Sequence, residues 1–183
     1  MSVATELQPF AVLREIESRS RENAFGLPQQ TEVRKPWSGI GFRMGEQRLV
    51  AGLGEIGEIL IYPELTRIPG AQPWVMGVAN IRGSLIPILD LKGFICGKNT
   101  ELKRRSRVLV IERNKHAAGL LVDEAMGMRY FFEEEQTDDL PAGDELLHAF
   151  LKGAYRQADS HWGIFDVSRL VEHPKFYEVA AQT

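Results

Sequence analysis

With 183 residues, 44% of them apolar, the chain is long enough to bury a sizeable core in one domain or two small ones, which excludes a mini-protein dependent on disulfides. Its 22 Lys and Arg against 25 Asp and Glu leave a formal charge of -3, without the basic excess of a dedicated nucleic-acid binder. A bilayer-spanning helix needs roughly 20 consecutive apolar residues, and stretches such as Leu85 to Leu89 and Val108 to Ile111 fall far short of it.

Met1 to Arg14 contains Glu6 and lacks both a basic start and an apolar signal core, so the expected location is the cytoplasm, with no direct membrane insertion. The single cysteine, Cys96, fits a reducing compartment. From Thr5 to about Asn23, Leu7, Phe10, Leu13 and Ile16 recur every three residues and Val12 precedes Ile16 by four, which predicts an amphipathic helix. Thr5 and Gln8 have capping-box spacing, Pro9 is tolerated in a first turn, and Gly26 followed by Pro28 supplies a stop. Gln29 to Lys35 reads as a linker, so residues 1–36 form an appendage to a domain at 37–171, with 172–183 left as a C-terminal tail.

After Trp37 the chain changes to short runs of Ile, Val, Leu and Phe broken by Gly, Pro, Asn or Asp, the pattern of short strands. Ile40, Phe42 and Met44 alternate with Gly41 and Arg43, and Gly45 to Gln47 turns the chain into Arg48 to Ala51. Strands are expected at Ile56 to Tyr62, Gly77 to Ile81 and Leu85 to Leu89. Pro87 requires an edge position or a nitrogen turned away from a neighbour. The basic segment Gly97 to Arg107 is read as the connection between two subdomains. Beyond it, Val108 to Glu112 and Ala117 to Val122 form a hairpin, Met126 to Phe132 a further strand, and Glu133 to Glu145, with seven carboxylates, a solvated loop. Leu151 to Tyr155 pairs with Trp162 to Asp166, and Val167 to Val171 is a short closing helix. Two groups of short antiparallel strands with marginal helices predict a mainly β chain of paired small barrels.

Catalytic chemistry finds little footing. Gly52-Leu53-Gly54-Glu55-Ile56-Gly57 matches the G-x-G-x-x-G string of a dinucleotide site, but Pro63 and Pro69 deny it the long helix that the motif requires. A nucleotide-binding enzyme built on that string is the remote alternative to a glycine-rich turn. His116, His148, His161 and His173 are scattered without metal-ligand spacing, so no metal is expected. Cys96 reads as a buried inert thiol, and the clustered carboxylates Glu133 to Glu135 as solvated. No catalytic residue and no cofactor are expected.

The distinctive stretch is Gly77-Val78-Ala79-Asn80-Ile81-Arg82-Gly83-Ser84-Leu85-Ile86-Pro87-Ile88-Leu89-Asp90-Leu91, in which one Arg stands at a tight turn between apolar strands. Arg82 either forks to a carboxylate or to backbone carbonyls, or faces water as an ordinary turn residue. This stretch resembles the signature of the CheW-like coupling domains of bacterial chemotaxis. Glu55-Ile56-Gly57-Glu58-Ile59 resembles the family's apolar-x-Glu-Ile strand, Leu65 to Gly70 its approach to the signature, and Pro73 to Gly77 its short helical lead-in. Val108 to Glu112 and Ala118 to Asp123 are similar to the hairpin that ends in Val-Asp, and Phe150 to Gly153 with Ile164 to Asp166 to the last strands.

The resemblance covers about Trp37 to Val171. It implies two intertwined SH3-like five-stranded barrels and a non-catalytic adaptor that joins the cytoplasmic tip of methyl-accepting receptors to the regulatory domain of a CheA-type histidine kinase, recruited to membrane receptor complexes. The N-terminal extension and Trp37-Ser38-Gly39-Ile40-Gly41-Phe42 resemble the pilus-associated PilI branch, which implies control of type IV pili and twitching motility. An adaptor of flagellar chemotaxis is the alternative within the fold. Carried over by motif position, Glu58 and Arg82 are the expected pair at a partly desolvated receptor groove between the barrels. Ile56 and Ile81 are their apolar neighbours, and Gly83 permits the turn. The kinase contact is expected on a separate apolar face.

Overall fold

The computed structural model describes residues 9–22, 36–113 and 116–178. The chain divides into two compact units, Met1–Arg34 and Lys35–Thr183. In the first, α1 spans Pro9–Glu22, opening on the proline whose missing N–H costs nothing in a first turn. Phe10, Leu13 and Ile16 are exposed, and Arg19 pairs with Glu15 one turn away at 2.7 Å. The Thr5–Gln8 cap, the Gly26–Pro28 stop and the linker to Lys35 lie outside the described residues.

The second unit runs β1 (Trp37–Met44), β2 (Gln47–Gly52), β3 (Glu58–Ile61), β4 (Val75–Ile81), β5 (Ser84–Asp90), α2 (Leu91–Cys96), β6 (Arg107–Arg113), β7 (His116–Val122) and β8 (Glu124–Phe131). It continues through a single 3-10 turn at Glu133–Glu135, β9 (Gln136–Thr137), α3 (Glu145–Ala149), β10 (Leu151–Gln157), β11 (Ser160–Phe165), α4 (Val167–Glu172) and α5 (Pro174–Tyr177). A six-stranded sheet has the order β8-β1-β2-β11-β10-β9 and a five-stranded sheet the order β3-β6-β7-β5-β4.

The two sheets repeat one plan. In each, two antiparallel hairpins meet through one parallel pair, β2 with β11 at Leu49 and Gly163, and β7 with β5 at Gly119 and Ile88. Ile81 faces Ser84 across one hairpin end and Gln157 faces Ser160 across the other. Arg82 and Ala158, the first loop residues of these turns, have φ values of 52° and 50°. Asp90 ends β5 and Asp166 follows β11; each donates its N–H to a carbonyl, of Trp74 and Phe150 respectively, at 2.8 Å, and they cap α2 and α4 with their side chains.

Sheet membership does not follow chain order. The chain leaves the first sheet after β2, builds all of the second, and returns at β8. This corrects the reading of Gly97 to Arg107 as a connection between subdomains: the segment joins β5 to β6, two strands of one sheet. Strand periodicity states which face of a strand is apolar but not which strand lies beside it. Buried Asp90 accepts from the Thr100 backbone N–H at 2.5 Å and its hydroxyl at 2.7 Å, which fixes one end of that loop. β5 is an internal strand, yet its parallel ladder with β7 begins at Ile88, so Pro87 leaves no gap in it.

Three apolar clusters explain the long hydrophobic runs. One, drawn from both sheets and the helices, contains Phe42, Leu49, Leu109, Leu120, Phe165, Phe94 and Phe176. Val50, Phe131, Tyr155, Trp162 and Ile164 fill the six-stranded sheet's own concavity, and Ala79, Ile86, Ile88, Val108 and Leu121 that of the five-stranded one. Successive residues therefore serve different cores: Leu49 and Val50, Val108 and Leu109, Leu120 and Leu121. Side chains alternate across a strand, and here both faces are buried.

Two boundaries also change. Pro73 and Trp74 form a turn into β4 rather than a helical lead-in, with Val75 N–H donating to the Gln72 carbonyl at 2.9 Å. The domain does not end at Val171, because α5 brings Phe176 into the shared core and Lys175 Nζ donates to the Phe94 carbonyl at 2.7 Å. Hydrophobic periodicity cannot register a four-residue helix that contributes one buried ring.

Candidate functional site

The β4–β5 turn places Arg82. With φ of 52° at Arg82 and 85° at Gly83, it is a two-residue hairpin loop of the kind that follows strand twist. Asn80 Oδ1 accepts the Gly83 N–H at 2.9 Å and closes it. A left-handed conformation costs a non-glycine residue about 1–2 kcal/mol, so Arg82 is held where glycine or asparagine would sit more easily. Its Nη2 donates to Glu58 Oε1 at 2.8 Å. Glu58 lies on β3 and Arg82 at the end of β4, so the pair joins the two outer strands of the five-stranded sheet. Nearby, the Thr66–Val78 bridge pairs the segment after β3 with β4.

The remaining sequence candidates divide by burial. Ile56 is 8% exposed and belongs to the shared core, while Ile81 packs half-buried on the interior of the five-stranded sheet. Gly83 is exposed. Arg82 itself is 80% exposed and Glu58 28%, so the pair stands at the surface rather than in the partly desolvated groove expected of it. A two-residue hairpin tip projects beyond the sheet, which keeps the guanidinium in water.

Beside this turn lies a cavity of about 550 Å3, lined by Ser84, Leu85, Pro87, Glu112, Ala118 and Tyr177 among others. A second, of about 670 Å3, is lined by Tyr62, Pro63, Leu65, Arg67, Met76 and Leu102. Burial pushes the Tyr62 hydroxyl pKa up, against the opposing charge of Arg67. Sequence reasoning missed both. Leu85 is 74% exposed, but in the sequence it is one apolar residue of an apolar run, and Tyr177 lies in a four-residue helix too short to leave a periodic signal.

The passage between sheets is pinned by charge. Glu55 accepts the Gly52 N–H at 2.8 Å, and Lys152 Nζ lies 3.4 Å from Glu55 and 3.5 Å from Asp166. Burial alone would raise the Asp166 carboxyl pKa, but the backbone N–H groups of Arg169 and Ser168 and the Lys152 ammonium outweigh it and hold it below its ordinary value.

Gly52 to Gly57 runs from the end of β2 to the start of β3, so no helix N-terminus follows the glycines and the pyrophosphate cradle of the nucleotide alternative is not built. Among the described residues no group of three or more His, Cys, Asp or Glu side chains has metal-binding geometry. Cys96 is half-buried rather than buried; burial and its hydrogen bond to Asp144 raise the thiol pKa, which keeps it protonated and weakly nucleophilic. Among the described residues no helix is long and apolar enough to cross a membrane.

Residues 38–175 match the family model described as CheW-like domain. The chain is 43% identical over 172 residues to Protein PilI of Pseudomonas aeruginosa, covering 94% of this chain and 96% of that protein. It is 31% identical over 114 residues to the probable chemotaxis protein CheW of Rhizobium etli, covering 62% of this chain and 74% of that protein. The crystal structure of the scaffolding protein TtCheW from Thermoanaerobacter tengcongensis superposes with a TM-score of 0.67 at 24% identity, over 79% of this chain and 97% of that one, which supports the fold. The signature around Arg82, the duplicated two-sheet architecture and a match over most of the chain together place this protein in the CheW-like domain family.

Proposed function

We propose that this chain is a non-catalytic cytoplasmic adaptor, recruited to membrane receptor complexes, which couples methyl-accepting receptors to a CheA-type histidine kinase in a chemosensory pathway controlling type IV pili and twitching motility. The observation that carries the pathway assignment is the 43% identity to PilI across nearly the full length of both chains, against 27–33% over shorter stretches of the chemotaxis CheW proteins. In this reading the receptor tip contacts the Arg82–Glu58 end of the five-stranded sheet. The kinase regulatory domain contacts the cavity lined by Tyr62, Leu65, Met76 and Leu102, which shares no lining residue with the cavity beside Arg82. Two separate surfaces are what simultaneous binding of two partners requires.

The test is a calorimetric titration of the full chain with the regulatory domain of a CheA-like kinase from the same genome, and with a receptor-tip fragment. Saturable binding to both supports coupling. Absence of binding to every such kinase domain in that genome overturns it. Deletion of the gene, read out as lost twitching with intact swimming, separates the pilus pathway from flagellar chemotaxis.

A further inference from the structure

His173 stands between two helices, ending α4 and capping α5. Its backbone N–H donates to the Leu170 carbonyl at 3.2 Å, while its ring nitrogen Nδ1 accepts the Lys175 backbone N–H at 3.3 Å. We propose that protonation of His173 removes this cap and releases α5 from the shared core, so that one wall of the groove beside Arg82 responds to pH. The device acts whichever partners the chain couples.

An imidazole that accepts at Nδ1 carries its proton on Nε2 and is neutral. A second proton turns Nδ1 into a donor facing a donor, and the Lys175 amide loses its acceptor. The new charge acts in opposite senses on the two helices: a cation favours the carbonyl end of α4 and disfavours the amide end of α5. α4 is held while α5 is let go. The ring lies nearly perpendicular to those of Phe94 and Phe150, at centroid distances of 6.2 and 5.3 Å. The Lys175 ammonium lies 4.8 Å from the same Phe94 ring and has no ion-pair partner among the described residues. An imidazolium there sets like charge beside like charge on one aromatic wall.

The other charged groups on the elements around the ring are engaged elsewhere. At α2, the Asp90 carboxylate accepts from Gly93 and Thr100, Lys92 runs to the Gly45 turn, and Cys96 meets Asp144. On α3 and β10, His148 meets the Pro141 carbonyl and Lys152 lies by Glu55 and Asp166. At α4, Asp166 caps the helix and Arg169 donates to the Leu151 carbonyl. Glu145, Glu172 and Glu178 are exposed. Little besides the cap holds α5: it has four residues, one buried ring in Phe176, and the Lys175 bond to the Phe94 carbonyl at 2.7 Å. A helix this short has no stability of its own, so one lost cap shifts its docking. His173 is half-buried and within reach of solvent protons. Phe176 and Tyr177 wall the groove of about 550 Å3 beside Arg82, and release of α5 opens that groove and uncovers Phe94.

The experiment is amide hydrogen exchange of the full chain by NMR from about pH 8 to about pH 5, the range in which histidines change charge, with each rate divided by its intrinsic rate at that pH. The Phe176 amide, which donates to the His173 carbonyl at 2.9 Å, and the Glu178 amide, which donates to the Lys175 carbonyl at 3.2 Å, report on α5. The Leu170 amide, which donates to the Asp166 carbonyl at 3.2 Å, reports on α4. Protection of the α5 amides is expected to fall about three- to thirtyfold with falling pH, the range for losing an N-cap. The midpoint should coincide with the titration of the His173 ring protons, while protection at Leu170 changes by less than about twofold. His173→Asn keeps an accepting oxygen without a titrating proton and is expected to hold α5 protection within about twofold across the series. A flat wild-type profile overturns the proposal, as does a pH-dependent loss that persists in His173→Asn or a parallel loss at Leu170. If His173→Asn leaves α5 unprotected at every pH, the wild-type midpoint decides: agreement with the His173 ring titration supports the device, and agreement with that of His148 or His161 overturns it.

Discussion

At the residue scale, Arg82 pays backbone strain for its position while its ion pair with Glu58 is exposed. Exposed pairs contribute about 0–1 kcal/mol, roughly what the left-handed backbone costs, so Arg82 adds little net stability. Arg82→Asn, which tolerates that backbone, is expected to unfold in urea within about 1 kcal/mol of wild type and to lose receptor binding in calorimetry. A large loss of stability would instead make the residue structural. Asp166 behaves in the opposite way. It caps α4 through the Ser168 N–H at 2.9 Å and the Arg169 N–H at 3.2 Å, and Asp166→Ala is expected to cost about 0.5–2 kcal/mol. Its folded pKa lies below the unfolded value near 3.8, so this stabilisation is full above about pH 4 and is lost as pH falls through the folded pKa. Denaturation series from neutral pH into acid should show wild type and variant converging only in that acid range.

At the element scale, α5 shows how little local pattern is needed to alter a boundary. Four residues hold Phe176 against Phe94, with ring centroids 6.4 Å apart, and close one side of the groove. Replacing Phe176 by Ala is expected to cost about 3–5 kcal/mol, the range for a buried aromatic ring, measured as a shift in the chemical denaturation midpoint. A change below about 1 kcal/mol would mean that α5 is not part of the folded unit. The strands were legible because their patterns are dense: the hairpins β1–β2, β6–β7 and β10–β11 lie within a few residues of their sequence-based positions. The acidic stretch from Glu133 read as loop, yet it holds a 3-10 turn, the two-residue β9 and the start of α3, each too short to leave a periodic signal.

At the scale of the whole molecule, the cluster drawn from both sheets binds them into one cooperative body. A single calorimetric transition is therefore expected for Lys35–Thr183, and two resolved transitions would contradict the shared core. The sequence by itself determined the strands, the separate N-terminal helix, the tight turn at Arg82 and the family signature, because each is a local pattern of apolar spacing, turn residues or motif. Only the tertiary structure decided which strands share a sheet, that Gly97 to Arg107 stays within one of them, that Glu58 meets Arg82 in water, and that α5 walls a groove. Those outcomes depend on long-range pairing and on which of two buried faces meets which core, and residue periodicity carries no information about either.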